Sequence, residues 1–551
     1  MTAQHPSLAT RVSRAVLWNT LFAPLRLLVE VAATLVKLNQ LSQAGFGLIA
    51  LVRGASNLFG TALDLGIARA LPKYIPETER AGGVRAARRL FLLVATLQMA
   101  ILLVIALGLA LSHRQIESYL QGLLGGDVVV EAAARAELSR FVAEFHWLII
   151  AAIVILLGLG ALYDLLMAVL SSFFRQRAWN TIALAAGLLP QALVVVAILV
   201  LPDRWDILGV LVAMVVAPAI AVALAGWQVW RLQAGLTTEP GPGLLVDLRE
   251  GLRDLRQALP PGFIRYAAVS YLMTATDFVA SFEFINFFNS DIRDVSLLAA
   301  GALLVRMALS YLYTPMVGVQ VPLFTRVRQG EGGTTNGAYQ SLVRLQLLLM
   351  APGGVGLMLL AEAGLLVISP QYLAAAPVVW VLTPCLFSES LLTTAHNALM
   401  VNERLKVVVA SRLVAVTTVV VLALWLPAWL GLVGMALTFG LARVAAGLWV
   451  TLAGVRLLGL RWPWQFTLRV TAATLLMAVV VAGLREVIAL PTDEISLLNR
   501  LGLAAQLLGL AGVGAVVFLL ALRLFGGLDP ADRAQVLQWR IPLRSLIQRL
   551  V

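Results

Sequence analysis

The chain has 551 residues, of which 60% are hydrophobic and 13% are charged, and its mean hydropathy is +0.90. This composition is too apolar for a soluble domain and predicts an all-α, polytopic membrane protein. The net charge of +12 does not indicate nucleic-acid binding, because the basic residues are spread over many short segments rather than one soluble face.

Apolar stretches of about 20 residues, long enough to cross a hydrocarbon core of roughly 30 Å, recur along the chain and predict about fourteen transmembrane helices. A first group of six is expected at 15–38, 45–71, 90–112, 142–170, 180–201 and 206–230. A second group of six is expected at 262–289, 295–325, 340–361, 375–401, 407–426 and 429–455, and two more helices at 466–490 and 497–524.

These helices predict a division of the chain into two six-helix lobes with additional C-terminal segments. The expected parts are an N-terminal lobe (1–235), a cytoplasmic amphipathic linker (236–261), a second lobe (262–456), two additional transmembrane helices (457–525) and a cytoplasmic amphipathic tail (526–551). The linker follows Glu239-Pro240-Gly241-Pro242-Gly243, which cannot continue a helix, and its leucines then recur every three or four residues. A membrane-surface connector is the favoured interpretation over a partner-binding helix.

The first predicted helix carries a polar stripe along one side. Steps of seven, four and seven residues bring its members to within roughly 20° of one line at about 100° per residue. They are Asn19, Arg26, Glu30 and Lys37. The second predicted helix repeats this pattern with Arg53, Asn57, Gly60 and Asp64. Because a charge at the bilayer centre costs roughly 2.5 to 3.5 kcal/mol, these faces are expected to line a charged chamber.

The distribution of basic residues predicts that both termini are cytoplasmic. With the N-terminus inside, about 24 of the 41 Lys and Arg residues fall in the inner segments, where short loops retain them. The single Cys385 cannot form an intramolecular disulfide, and the four histidines lack metal-ligand spacing. No GxxxxGK[ST] segment occurs, so energy is expected from an ion gradient, the membrane potential or product consumption, and no cofactor is predicted.

The paired groups of six also look like a diverged repeat, with Arg53 in helix two and Arg306 in helix eight at comparable depth. With its charged helix one, a basic loop after helix two and helix eight reading LLVRMALSYLYTPMVGVQVPLFTRVRQGEGG, the chain resembles the multidrug/oligosaccharidyl-lipid/polysaccharide exporter superfamily. Within it, the chain is most similar to bacterial polysaccharide (O-antigen type) flippases, with lipid II flippases close by.

This resemblance implies two lobes arranged as a V around a central cavity in the bacterial cytoplasmic membrane. The implied cargo is an undecaprenyl-pyrophosphate-linked oligosaccharide, and the implied partners are the bilayer and glycan-assembly enzymes, for a chain expected to act as a monomer. Arginines on helices one, two and eight are implied cavity residues, which here are Arg26, Arg53 and Arg306. These arginines suit the cargo, since Arg binds phosphate through bidentate hydrogen bonds. The expected cargo-binding set is completed by Asn19, Asn57 and Lys37.

Each residue also has a structural interpretation. Arg26 and Glu30 can neutralise one another, and Arg53 can pair with Asp64 or with helix one. The candidates for coupling to a proton or sodium ion, or for ion pairing, are Glu30, Asp64, Asp277 and Glu389. Asp277 is either a site for the coupling cation or a partner for Arg306, and the face that carries Glu389 is also expected to form interhelical hydrogen bonds.

Three other functions stay open at this point. They are a lipid II flippase, a multidrug exporter of the same superfamily, and an enzyme such as a polytopic glycan polymerase or glycosyltransferase. The exporter is disfavoured by the excess of arginine over carboxylate on helices one, two and eight. The enzyme is disfavoured because the longest outer connection, near 113–141, is too short for a domain of typical size.

Overall fold

The computed structural model describes residues 29–30, 32–125, 132–173, 176–202, 205–236, 249, 253, 259–289, 291–317, 320–328, 330, 333–486 and 497–526. Helices dominate these ranges, and no strand occurs within them. Eleven of the helices are long and apolar enough to cross a membrane. The prediction of an all-α, multi-pass membrane protein is therefore confirmed.

The contacts divide the chain into two units, Met1–Ser296 and Leu297–Val551. The predicted lobe boundary at residue 262 stays a prediction. Predicted helix seven (262–289) belongs to the first of these two units. The predicted linker and tail lie almost wholly outside the described residues, as do Asn19 and Arg26.

Nine α-helices of the first unit have bounds within the described residues, and a short 3-10 helix (Asn286–Phe288) follows the last of them. The nine are α1 (29–40, with residue 31 outside the description), α2 (Gln43–Asp64), α3 (Ile67–Leu111), α4 (His113–Leu124), α5 (Ala132–Ser172), α6 (Gln176–Val200), α7 (Asp206–Leu236), α8 (Phe263–Val279) and α9 (Phe282–Ile285). The long helix α5 packs against α2, α3, α4 and α7, and apolar side chains from these helices form the core.

The second unit also contains nine α-helices in its described part, the first of which begins just before the boundary. They are α10 (Ile292–Val317), α11 (Gln320–Arg328), α12 (Thr335–Leu359), α13 (Ala361–Ile368), α14 (Ala376–Val401), α15 (Leu405–Ala423), α16 (Leu426–Leu458), α17 (Trp464–Glu486) and α18 (Leu497–Leu524). Helix α14 is central, because it packs against α12, α15 and α16, while α17 packs against α12 and α18.

The second predicted helix ends earlier than its apolar run. Its last residue is Asp64, because Leu65 and Gly66 both adopt left-handed backbone conformations. The segment after it, expected to be a basic loop, is helical through to Leu111 except at Gly83. Hydropathy did not reveal this break, because the position depends on a close tertiary contact. The backbone of helix seven approaches Gly66 so closely that a Cβ there would lie 2.1 Å from the Ala267 carbonyl oxygen.

Helix seven, predicted as one continuous span, is also interrupted. Helix seven stops at Val279, and the Ser281 hydroxyl caps the next short helix by accepting from the Phe284 N–H at 3.3 Å. Helix eight is described as α10 and α11, and residues 318–319 between them lie outside the described residues. Helix seven is not counted among the eleven spans, because α8 has only 17 residues and is too short. The count of fourteen transmembrane helices stays a prediction.

Candidate functional site

A cavity of about 950 Å³ lies inside the first unit, and its lining includes residues of α2, α3, α5, α6 and α7, each of which has a segment long and apolar enough to cross a membrane. Most of its wall is apolar, but its lining includes seven charged side chains: Glu30, Lys37, Arg53, Asp64, Asp164, Asp277 and Glu283. Charged groups in such helices usually face a cavity or a bundle interior, so this space is the candidate site.

Helix α2 presents one polar face to the cavity. Arg53 and Asn57, four residues apart, are both exposed although they lie within a membrane-spanning helix. The neighbouring Leu51, Val52 and Gly54 are buried against the rest of the unit. Because one face of α2 is buried and the opposite face is exposed, the helix directs the Arg53 guanidinium into the cavity.

Lys37 and Arg53 form a cationic group at the cavity wall. The Lys37 Nζ donates a hydrogen bond of 2.9 Å to the Gln191 Oε1 on α6, which fixes the ammonium in place. The positive charge of Arg53 and the negative charge of Glu30 both act on Lys37, so the three groups lie close together. The predicted stripe on helix one therefore meets the predicted stripe on helix two.

A second group of charges is acidic. Asp64 on α2 and Asp164 on α5 lie near enough for their negative charges to act on one another. Gln98, only 3% exposed, lines the same cavity from α3, and its Oε1 makes no hydrogen bond within the described part of the chain. Asp277 and Glu283 add two carboxylates from helix seven.

The balance of charge differs from the expected excess of arginine. Among the described lining residues, five carboxylates face two cations. The sequence analysis missed the contributions of Gln98, Gln191 and Glu283 to the cavity lining. An isolated polar residue inside an apolar run was the available signal for Gln98, Asp164 and Gln191.

Six of the ten predicted site residues line this cavity: Glu30, Lys37, Arg53, Asn57, Asp64 and Asp277. Arg306 and Glu389 belong to the second unit. Asn19 and Arg26 lie outside the described residues. Their roles in binding cargo or coupling ions stay predictions.

A separate polar cluster lies inside the second unit. The guanidinium carbons of Arg306 and Arg443 each lie 5.8 Å from the centroid of the Phe439 ring, within the range of a cation–π contact. The Arg443 Nε lies 3.5 Å from the Glu389 Oε1. Glu389, a candidate for ion coupling, ion pairing or interhelical hydrogen bonding, thus forms an interhelical ion pair.

A hydrogen-bonded chain lies in the same unit. The Gln320 side chain donates to the Tyr313 hydroxyl at 3.2 Å and accepts from the Asn397 amide. Tyr313 and Gln320 are seven residues apart, a spacing that places them on one side of a helix. In the part of the chain that is described, no group of three or more His, Cys, Asp or Glu residues is arranged to hold a metal ion.

Comparisons with known proteins define the fold. Searches of protein-family models and of curated protein sequences find no match. Among solved structures, the chain is similar to a lipid II flippase, MurJ, in an inward closed conformation, with a TM-score of 0.63 and 13% identity over 92% of this chain and 98% of that one. It is also similar to an inward-facing multidrug resistance MATE family transporter of the MOP superfamily, with a TM-score of 0.51 and 15% identity over 79% of this chain and 94% of the other.

The protein is therefore a multi-pass membrane protein with the fold shared by these two transporters. The predicted likeness to the multidrug/oligosaccharidyl-lipid/polysaccharide exporter superfamily is confirmed at the level of the fold.

Proposed function

We propose that this protein is a transporter that moves an undecaprenyl-pyrophosphate-linked oligosaccharide from the inner to the outer leaflet of a bacterial cytoplasmic membrane. The observation that carries the proposal is the exposed guanidinium of Arg53, which opens into the cavity beside the Lys37 ammonium. Arg binds phosphate oxygens through bidentate, charge-assisted hydrogen bonds, and a diphosphate supplies several acceptors for both cations.

The extent of the structural similarity supports a flippase over other transporters of this fold. The match to the lipid II flippase extends over 92% of the chain, whereas the match to the multidrug transporter extends over 79%. A lipid II flippase and an O-antigen type flippase would use the same diphosphate chemistry, so the cavity residues favour neither sugar headgroup.

In the proposed cycle, the diphosphate enters the cavity and pairs with Arg53 and Lys37 while the prenyl tail remains in the bilayer. The carboxylates Asp64 and Asp164 limit how tightly an anionic headgroup is held, which favours its release when the cavity opens to the other side. Each charge crossing the full membrane field is worth about 2.3 kcal/mol per 100 mV, so the membrane potential, or a proton or sodium gradient, can drive turnover.

Vesicles carrying the purified protein and a fluorescent lipid-linked diphosphate test this proposal. Arg53→Ala should lower the initial rate of headgroup translocation by about ten- to a hundredfold, because losing a charge-assisted hydrogen bond costs about 1.5 to 3 kcal/mol. The translocation rate of Arg53→Lys should lie between those of the wild type and Arg53→Ala, since lysine keeps the charge without the bidentate geometry. Arg231→Ala is the control, because Arg231 is exposed and stacks on Trp227 at 3.9 Å. A wild-type rate in Arg53→Ala would refute the role of this cavity.

A multidrug exporter is the second candidate, and the acidic excess of the cavity lining favours it. A cationic drug would be attracted by Asp64 and Asp164 rather than by Arg53. If the protein is such an exporter, cells expressing it will expel a lipophilic cationic dye, and Asp64→Asn or Asp164→Asn will abolish that export. A flippase will leave dye retention unchanged.

An enzyme that lengthens or transfers glycans would act on the same lipid. Incubating the purified protein with lipid-linked glycan distinguishes the two functions. We expect the glycan to keep its length and its lipid, because the proposed step only relocates it.

The proposed direction of transport requires a particular topology, with both termini cytoplasmic. Since Cys385 is buried, single cysteines introduced at exposed positions report the topology with little background. A membrane-impermeant maleimide should label Arg114→Cys in intact cells and Arg404→Cys only after permeabilisation, since both positions are exposed. The reverse pattern would contradict the orientation.

A further inference from the structure

Glu389 and Arg443 form an ion pair well inside two membrane-spanning helices of the second unit, α14 and α16. Their side chains are 25% and 23% exposed, respectively, so neither is sealed from its surroundings. A molecule that approaches this part of the unit can therefore reach both.

The pair is loose. Its closest nitrogen and oxygen are 3.5 Å apart, whereas the buried Arg135–Asp291 pair of the first unit closes to 2.8 Å. Charge-assisted N–H to carboxylate hydrogen bonds are normally about 2.7 to 2.9 Å long. The Arg443 Nε correspondingly makes no hydrogen bond within the described residues. Little interaction energy would be lost if Glu389 were replaced by another anion.

The charges around this pair are unbalanced. Glu389 is the only acidic residue in helices α14, α15 and α16, all of which are described, while Arg412 and Arg443 both lie within them. A second guanidinium, that of Arg306 on α10, shares the Phe439 ring with Arg443. Because uncompensated positive charge is costly inside a membrane, an anion stabilises such a cluster.

We propose that Arg306 and Arg443 form a binding site for a phosphate-bearing headgroup, and that Glu389 is an internal counter-ion which the arriving phosphate displaces from Arg443. This inference rests on the proposed function, because it identifies where the second unit engages the same anionic cargo. A diphosphate carries more charge and more acceptor oxygens than a carboxylate, so it satisfies both guanidinium groups. When Glu389 pairs with Arg443 again, it expels the headgroup, so the same carboxylate weakens binding and speeds release.

The test measures binding and turnover separately in the full-length protein. The probe is geranylgeranyl diphosphate, with geranylgeraniol as the uncharged control, and its Kd is measured by calorimetry in detergent. Glu389→Gln should lower the Kd for the diphosphate about tenfold, should leave the Kd for the alcohol unchanged, and should slow headgroup translocation in vesicles. Arg443→Gln should raise the Kd for the diphosphate. Glu362→Gln is the matched control, since Glu362 pairs with Arg485 elsewhere in the second unit and should not change the Kd.

Tighter binding with slower turnover is a combination that a merely structural ion pair would not produce. Glu389→Asp provides a second, milder variant in case Glu389→Gln does not fold. Its shorter side chain weakens the pair while keeping the charge, so it should lower the Kd by a smaller factor.

If Glu389→Gln and Glu389→Asp bind the diphosphate no more tightly than the wild type, the counter-ion role is overturned. The proposed function would still stand if Arg53→Ala loses binding in the same assay. If the wild type binds the diphosphate no better than the alcohol, both proposals fail.

Discussion

Replacing Gly66 with alanine tests how the junction of α2 and α3 packs against helix seven. Gly66 has φ +72° and ψ 11°, a left-handed conformation in which an alanine costs about 1 kcal/mol. Its added Cβ would lie 2.1 Å from the Ala267 carbonyl oxygen and 2.6 Å from the Tyr271 amide nitrogen. Both are backbone atoms that cannot rotate away, so the helices must separate, at a further cost of about 1 to 3 kcal/mol.

We therefore expect Gly66→Ala to lower the free energy of unfolding by about 3 kcal/mol in total. Gly459→Ala is the matched control, because Gly459 has nearly the same backbone conformation, φ 64° and ψ 27°, and a Cβ added there would meet no neighbouring atom within 4 Å. That variant should lose only about 1 kcal/mol. The assay is reversible unfolding in mixed micelles with increasing SDS. Equal losses in the two variants would mean that helix seven does not approach Gly66 closely, and would refute the reasoning.

Three further substitutions test other contacts by the same unfolding assay. Arg135→Met should cost about 3 kcal/mol, because it leaves the carboxylate of Asp291 without its buried 2.8 Å partner, and a loss below about 1 kcal/mol would contradict this. Thr394→Val should cost about 1 to 2 kcal/mol, because the fully buried Gln346 Oε1 loses its 2.7 Å hydrogen bond; an unchanged stability would argue against that bond. Gln98→Leu should leave stability unchanged or raise it by about 1 kcal/mol, because it removes a buried oxygen without a hydrogen bond, and a clear loss would show that this oxygen has a partner.

The polar face of α2 shows how much of the cavity was predictable from sequence. Arg53 and Asn57 are four residues apart, and the helical period alone places them on one side of any helix. Their exposure to the cavity follows because a guanidinium avoids lipid. The contact between the two stripes was expected only in general terms, whereas the bond from Lys37 to Gln191 joins residues 154 positions apart.

The breaks within the helices were not predictable in the same way. Ser281 resembles an ordinary N-cap residue, yet no apolar pattern around it separates α8 from α9. The left-handed turn at Leu65 and Gly66 lies inside an otherwise apolar run. These positions depend on what packs against them, and in the case of Gly66 the neighbour is about 200 residues away in the chain.

Local sequence determined which segments of this protein are helical and apolar enough to cross the membrane. The physical reason is that a segment in lipid must satisfy its own backbone hydrogen bonds, so hydrophobicity and length suffice to identify it. Tertiary structure alone decided that Asp64 approaches Asp164, that Arg443 pairs with Glu389, and that carboxylates outnumber cations among the described residues that line the cavity. Such pairings depend on how helices pack side by side, and the energy of that packing comes from residues far apart in the chain.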